Sequence, residues 1–270
     1  MRKKSLVILF CMTLIYGVGW AEPQRFVVPL TNPGQPVMLE ASVMQGSISV
    51  VGYEGSEVVV EVVFESDEDE DEEFEERDGL RRIPSGSAGV TIEEKDNKVE
   101  VGTDWSDDEV QLTITVPYQT SVHVGGVNGD FVEVEGVQGN HELSHTNGEI
   151  TARKMRGSVI ATTTNGDVVV ELLEIDADTP MSFSSFNGDV EVTLPASARA
   201  NLFMQAGQGD IYTDFDVELQ PTKPKVTKEH EGGGSYRVRM EKAVEGTLGG
   251  GGPEFRFKTF NGDIILRKPN

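Results

Sequence analysis

Cysteine is nearly missing from this 270-residue chain: Cys11 is the only one. It lies in a leader-like segment, where Arg2-Lys3-Lys4 precede an apolar run from Ser5 to Val18 and Gly19-Trp20-Ala21 supplies small residues. The pattern predicts a signal peptide over residues 1–21, cleaved after Ala21. The apolar run is short of the ~20 residues a spanning helix needs, so membrane insertion is not expected once the leader is gone. Nor would any thiol then remain, which excludes disulfides, a cysteine nucleophile and cysteine metal ligation. Basic residues are also scarce. Arg2, Lys3 and Lys4 leave with the leader, so 23 basic residues become 20 against 46 acidic, a net charge of −26. A surface of that sign repels nucleic acid and anionic headgroups, and nucleic acid is excluded as a partner. Aromatic residues are few, with Trp105 the one tryptophan after the leader. Helical periodicity is missing too. No Gly-rich phosphate loop runs from a strand into a helix, and no nucleophile elbow is present.

What the chain does have is repetition. Asn-Gly followed by an acid occurs at Asn128-Gly129-Asp130, Asn147-Gly148-Glu149, Asn165-Gly166-Asp167, Asn187-Gly188-Asp189 and Asn261-Gly262-Asp263. Gln45-Gly46-Ser47 and Gln208-Gly209-Asp210 are degenerate copies. From Gly129 to Gly209 the steps are 19, 18, 22 and 21 residues, and Gly139 and Gly157 split the first two. Aligned on the glycine, the fifth residue before it is always apolar: Ala41, Val124, Leu143, Ala161, Phe183, Met204 and Phe257. Two residues earlier, only His141 is polar. The second and fourth positions after the glycine hold Ile48/Val50, Phe131/Glu133, Ile150/Ala152, Val168/Val170, Val190/Val192, Ile211/Thr213 and Ile264/Leu266. Period two on both sides of a turn predicts strand, turn, strand. Asn-Gly alone suits a hairpin, hence an antiparallel meander or barrel. Identical residue types at identical offsets favour the other solution, coils stacked so that like positions form ladders. The expected fold is therefore all-β, a β-helix-like solenoid of stacked coils with Asn-Gly-Asp turns, in one domain over 22–270.

Two segments interrupt that domain. Ten of the twelve residues from Glu65 to Glu76 are acidic, and a like-charge block of this kind predicts a solvated, disordered loop over about 65–88. The stretch 214–253 carries Pro221, Pro224, Gly232-Gly233-Gly234 and Gly249 to Gly252. It reads as an excursion containing one strand, Tyr236 to Met240.

The tandem Asn-Gly-Asp-Ile/Val copies resemble the bacterial putative adhesin domains, as do Val116-Pro117 before the first central copy and the stretch from Asp210 to Phe215. The closing Gly249 to Gly252 with Thr259-Phe260-Asn261-Gly262-Asp263-Ile264 adds to the likeness. It spans roughly Val37 to Leu266 and resembles the head domains of putative autotransporter adhesins. The resemblance implies a β-helix-like solenoid, an envelope or extracellular location and no established enzymatic activity. Some members are associated with envelope stress.

Candidate chemistry is thin. His141-Glu142-Leu143-Ser144-His145 satisfies the H-E-x-x-H zinc-protease pattern, but that chemistry needs a helix to bring both imidazoles to one metal. These residues align without a gap on Val159 to Thr163, a strand, where the histidines stand ~13 Å apart and Glu142 points the other way. They are expected at inward or edge positions, hydrogen-bonded or partly wet. Stacked corners would place Asp130, Glu149, Asp167, Asp189, Asp210 and Asp263 in a column that Ca²⁺ could relieve. The Gly-Gly-x-Gly-x-Asp nonapeptide of calcium rolls is missing, so capping of the turn by backbone bonds is preferred. No residue is singled out as catalytic, cofactor-binding or metal-ligating, and no cofactor is expected. The function expected is a non-catalytic, exported interaction or adhesion-type protein of the periplasm, cell surface or exterior, with a protein or glycan partner at the envelope and a link to envelope sensing. The alternative is a carbohydrate-active β-helix enzyme using two Asp/Glu carboxylates.

Overall fold

Strict alternation around each glycine corner should turn one set of side chains inward and the other to solvent, and the computed structural model does this throughout the repeats. It describes residues 23–65, 76–77, 80–81, 89–103, 109–221, 225–231, 235–241 and 243–269. Every helix or strand among them is a β-strand. The predicted leader lies outside the described residues, and so does most of the acidic block. Of that block Glu65 ends the strand Glu57–Glu65, and Glu76–Arg77 pairs antiparallel with Leu80–Arg81.

Each corner splits a coil into two strands that pair in parallel with the coils above and below. In the first wall, ahead of the Asn, the order is Lys98–Thr103, residues 37–45, 120–128, 138–147, 158–165, Met181–Asn187, Glu254–Asn261 and Ala200–Gln208. In the second wall, behind the glycine, Glu109–Pro117 is followed by 46–53, 130–135, 149–153, Val168–Ile175, Val190–Thr193, Ile264–Arg267 and Ile211–Thr213. The inward residues of both walls form one core. Leu39, Val122, His141, Val159, Met181, Leu202 and Phe255 are all buried, as are Ile48, Ile150, Val168, Val190 and Ile264 from the facing wall. Phe183 and Phe257 stack there with centroids 5.2 Å apart.

Stack order departs from chain order at both ends. The coil 37–53 sits between the coil 98–117 and the coil 120–135. The last Asn-Gly-Asp copy is inserted between Asn187 and Gln208 instead of closing the stack. The free flank of Ala200–Gln208 is taken by an antiparallel strand, Val244–Leu248, with Val217–Leu219 beyond it, so that coil is already the end. At the other end Val90–Lys95 covers the first wall, and Glu57–Glu65 with Gln24–Pro29 covers the second, all antiparallel. Antiparallel covers break the parallel edge that would otherwise template further stacking. They also correct the reading of 214–253 as an excursion with one strand: the segment holds Val217–Leu219, Lys225–Glu231, Ser235–Glu241 and Val244–Leu248.

A second correction concerns the first central copy. Register slips by one residue after Asn128-Gly129, so Val132 and Val134 take the inward places opposite Ile48 and Val50. Phe131 and Glu133 face out, Phe131 at 38% exposure. One extra residue in a strand reverses which side chains it buries, and this bulge explains both Glu133 and Val132, the two residues that break the aligned pattern there.

Candidate functional site

The repeated corner was the strongest sequence signal, and its atoms are occupied by one another. Asn147 Nδ2 donates to Asn128 Oδ1 at 2.8 Å, Asn165 to Asn147 and Asn187 to Asn165 at 2.7 Å, and Asn261 to Asn187 at 2.6 Å. Beside this amide ladder runs a glycine column in which a Cβ has nowhere to go. One built on Gly188 would lie 2.1 Å from the Gly166 carbonyl oxygen, and one on Gly262 would lie 2.2 Å from that of Gly188. The acids form a third column. Asp167 Oδ1 accepts the Asp189 N–H, Asp189 Oδ1 accepts the Asp263 N–H, both at 2.7 Å, and Asp263 Oδ1 accepts the Asp210 N–H at 2.8 Å. Of the six acids, Asp167, Asp189 and Asp263 accept the backbone bonds expected of them, and these run to the neighbouring coil and not within the turn, whereas Glu149 accepts from the Thr151 hydroxyl and Asp210 faces the Tyr212 hydroxyl. No group of three or more His, Asp or Glu that could hold a metal ion occurs among the described residues.

The H-E-x-x-H residues lie in the strand Gln138–Asn165. His141, Leu143 and His145 are buried, and Glu142 and Ser144 are exposed on the opposite side. Glu142 and the two imidazoles therefore cannot meet at one metal. His141 Nε2 lies 3.2 Å from the Arg156 carbonyl oxygen, while its Nδ1 and both ring nitrogens of His145 have no partner. The expectation of hydrogen-bonded or partly wet histidines thus fails for His145, which is 4% exposed. Its ring fits because Gly126 occupies the same position in the coil above, where a Cβ would lie 3.0 Å from His145 Nε2. Loss of hydration on burial lowers both pKa values, that of His141 to about 4.

With corners and core consumed by structure, the outer faces of the two walls remain, and that of the first wall carries a cleft. Its outward rows run across the coils. Glu93, Glu100, Glu40, His123 and Glu142 stand side by side, and the next row is short: Thr91, Gly102, Ser42, Gly125 and Ser144. The step between them forms an open cleft of about 620 Å³. Lys98 Nζ bridges Glu40 at 2.9 Å and Glu100 at 2.5 Å, and those hydrogen bonds, Glu100 foremost, raise its pKa. The carboxylates all rise from one row on one side, so no two of them flank a bond from opposite faces as glycoside cleavage requires. Along the same rows the far end changes character, to Thr162, Ser184, Lys258 and Gln205, with Phe186 and Phe260 stacked beyond them at 5.0 Å. Sequence reasoning missed these two rings. The signal was the position two before each glycine, where Met44, Val127, Thr146, Thr164, Phe186, Phe260 and Gly207 fall in one outward row.

Residues 119–247 match the family model described as Toastrack DUF4097. No curated protein sequence matches the chain. Among solved structures, the chain is similar to a putative cell adhesion protein from Clostridium sporogenes, at 12% identity and a TM-score of 0.46, over 92% of this chain and 100% of that one. It is also similar to a putative adhesin from Bacteroides fragilis, at 12% identity and 0.40, over 92% of this chain and 98% of that one. A putative adhesin from Parabacteroides distasonis follows at 9% identity and 0.25, over 92% and 97%.

Proposed function

We propose that this chain is an exported, non-catalytic interaction protein of adhesion type, whose binding surface is the outer face of the first wall. One observation carries the reading. Across the coils from Glu40 to Gln205 that face presents short outward residues in continuous register, the hydroxyls of Ser42, Ser144, Thr162 and Ser184 with Gly125 among them. A flat wall of short side chains can lie against a long ligand without first ordering loops, which keeps the entropic cost of association low. The leader-like residues 1–21 support export, and with it a role at the envelope. Acidic residues elsewhere keep the chain soluble and apart from other copies of itself.

The test is attachment of the purified exported chain to envelope material. Ser144→Arg and Ser184→Arg raise bulky side chains from the face, and Ser49→Arg does the same from the outside of the second wall. The first two are expected to abolish attachment and the third to leave it intact. Equal loss from all three would refute the assignment of the face. Release of reducing sugar from envelope polysaccharide would replace the reading with that of a carbohydrate-active enzyme.

A further inference from the structure

We propose that Phe260, Gly207 and Lys258 form a slot for one carboxylated sugar ring of an acidic polysaccharide. The inference rests on the outer face being a binding surface and names its ligand class. Phe186 and Phe260 occupy neighbouring parallel strands, with centroids 5.0 Å apart and planes within 10°. That separation matches the ~4.8 Å between strands, so the rings stand on edge with their faces turned along the stack. The next strand places Gly207 beside Phe260, between Ala206, which pairs with Thr259, and Gln208, which pairs with Asn261. Having no side chain, Gly207 leaves the second face of Phe260 bare. A Cβ there would lie 3.0 Å from Phe260 Cδ2. The covering strand Val244–Leu248 pairs only as far as Met204, so it does not extend beside Gly207. Among the described residues the ladder therefore has two rings and no side chain in the third place.

A pyranose suits that place. Its C–H edges carry partial positive charge and the aromatic face is negative, so a sugar ring continues the stack. Lys258 supplies the second element. It lies two residues before Phe260 on the same outward side, with Ser184 and Gln205 as its cross-strand neighbours. Arg256 is engaged by Glu254 at 2.7 Å and covers the Phe203 ring at 4.7 Å. Lys258 has no ion pair among the described residues, in a chain with 46 acidic and 23 basic residues. An unpaired cation beside a bare aromatic face, flanked by a hydroxyl and an amide, complements a ring that carries a carboxylate. Repulsion from the acidic rows at the other end is screened over ~8 Å at physiological salt. Three strands by three outward residues measure about 10 by 13 Å. That holds a few sugar units and falls far short of the ~800 Å² a stable protein interface buries on each side.

Calorimetry of the purified exported chain with polygalacturonate, and with the same polymer fully methyl-esterified, tests the slot. The free acid is expected to bind, and the neutral ester at least tenfold more weakly. Lys258→Gln should weaken binding of the acid by about tenfold and Phe260→Ala should abolish it, both with unchanged melting. If Phe260→Ala melts early, Phe260→Leu retains the bulk without the flat face and is expected to lose binding as well. Equal affinity for the two polymers, wild-type affinity in Lys258→Gln, or no binding of either polymer would overturn the slot. Should slot variants attach normally to envelope material while Ser144→Arg does not, the slot falls and the face assignment stands. If Ser144→Arg also attaches normally, the face assignment falls with it.

Discussion

Three corners of the stack and a fourth differ at one position. Thr163 Oγ1 donates to the Gly148 carbonyl at 2.9 Å, Ser185 Oγ to that of Gly166 at 2.7 Å and Thr259 Oγ1 to that of Gly188 at 2.8 Å. Each hydroxyl stands three residues before its own glycine and ties the corner to the coil above. In the coil 138–153 the equivalent residue is His145, and neither ring nitrogen has a partner. Four residues earlier His141 replaces the valines of the coils on either side, Val122 and Val159. The three hydroxyl corners show how repetition satisfies buried polar groups: one solution serves three successive coils of the stack. The histidine coil shows what interrupting that solution costs, because a buried nitrogen without a partner loses its hydration for nothing. Stability should thus be set at the regular corners by steric fit and at the histidine coil by protonation.

Breaking the regular side should have the largest effect. Gly188→Ala drives a Cβ to within 2.1 Å of a backbone oxygen at a φ of +149°, and neither the turn nor the neighbouring coil can yield independently. Overpacking and backbone strain together should cost about 4 kcal/mol. For a chain of this size that lowers the melting temperature by about 10 °C, readable by calorimetry. A loss below 1 °C would mean that the column is not closely packed.

The histidine coil responds to pH instead. Burial holds the folded-state pKa of His141 at about 4, against an ordinary 6.5. Above pH 6.5 the ring is neutral whether the chain is folded or not. Below it the unfolded chain takes up a proton that the folded chain refuses, so stability falls between pH 6.5 and 4 and then levels off. Each pH unit in that window is worth about 1.4 kcal/mol, so the whole window removes about 3 kcal/mol. His141→Val should remove the larger part of this slope in chemical denaturation while leaving the carboxylate titration at lower pH. Parallel pH profiles for the two proteins would contradict the assignment. His145, shifted in the same direction by burial, adds to the slope that remains.

Much of the all-β architecture could be read in advance, for a physical reason. Ladder positions repeat because each is the solution to the same packing problem, so aligning copies on Gly129, Gly148, Gly166 and Gly188 recovers the inward column ahead of every glycine and, for the last three, the one behind it. Where the copies differ, reading failed. The slip at Phe131 is one residue of bulge, invisible to an alignment that assumes equal spacing on both sides of the glycine. The insertion of the coil 254–267 ahead of 200–213 depends on which edge an antiparallel strand covers, which is a property of assembled sheets and leaves no mark on local periodicity. The outer face was hidden for another reason. Its Ser, Thr and Gly residues look like ordinary surface, and only the register that sets Phe186, Phe260 and Gly207 in one row turns them into a place.

The smallest effect belongs to the amide ladder, and there the comparison can be made within one kind of side chain. Asn187 donates to Asn165 and accepts from Asn261, so Asn187→Ala removes two side-chain bonds. Asn261 is the last asparagine of the ladder, and its one side-chain bond among the described residues is the donation to Asn187. Both residues are exposed, so water competes for every rung and each bond is worth about 0.5 kcal/mol, the low end for an intramolecular hydrogen bond. The interior substitution should therefore cost about 1 kcal/mol and the terminal one about half as much. Asn187→Asp is the sharper variant. A carboxylate still accepts from Asn261 but cannot donate to Asn165 Oδ1, so it sets oxygen against oxygen at one contact and leaves the other intact. Its cost should exceed that of Asn187→Ala and grow as pH rises through the carboxylate range, because ionisation adds charge to the repelling pair. Equal costs for Asn187→Ala and Asn261→Ala, with no pH dependence in Asn187→Asp, would mean that the glycine column alone holds the corners in register and the amides only follow it.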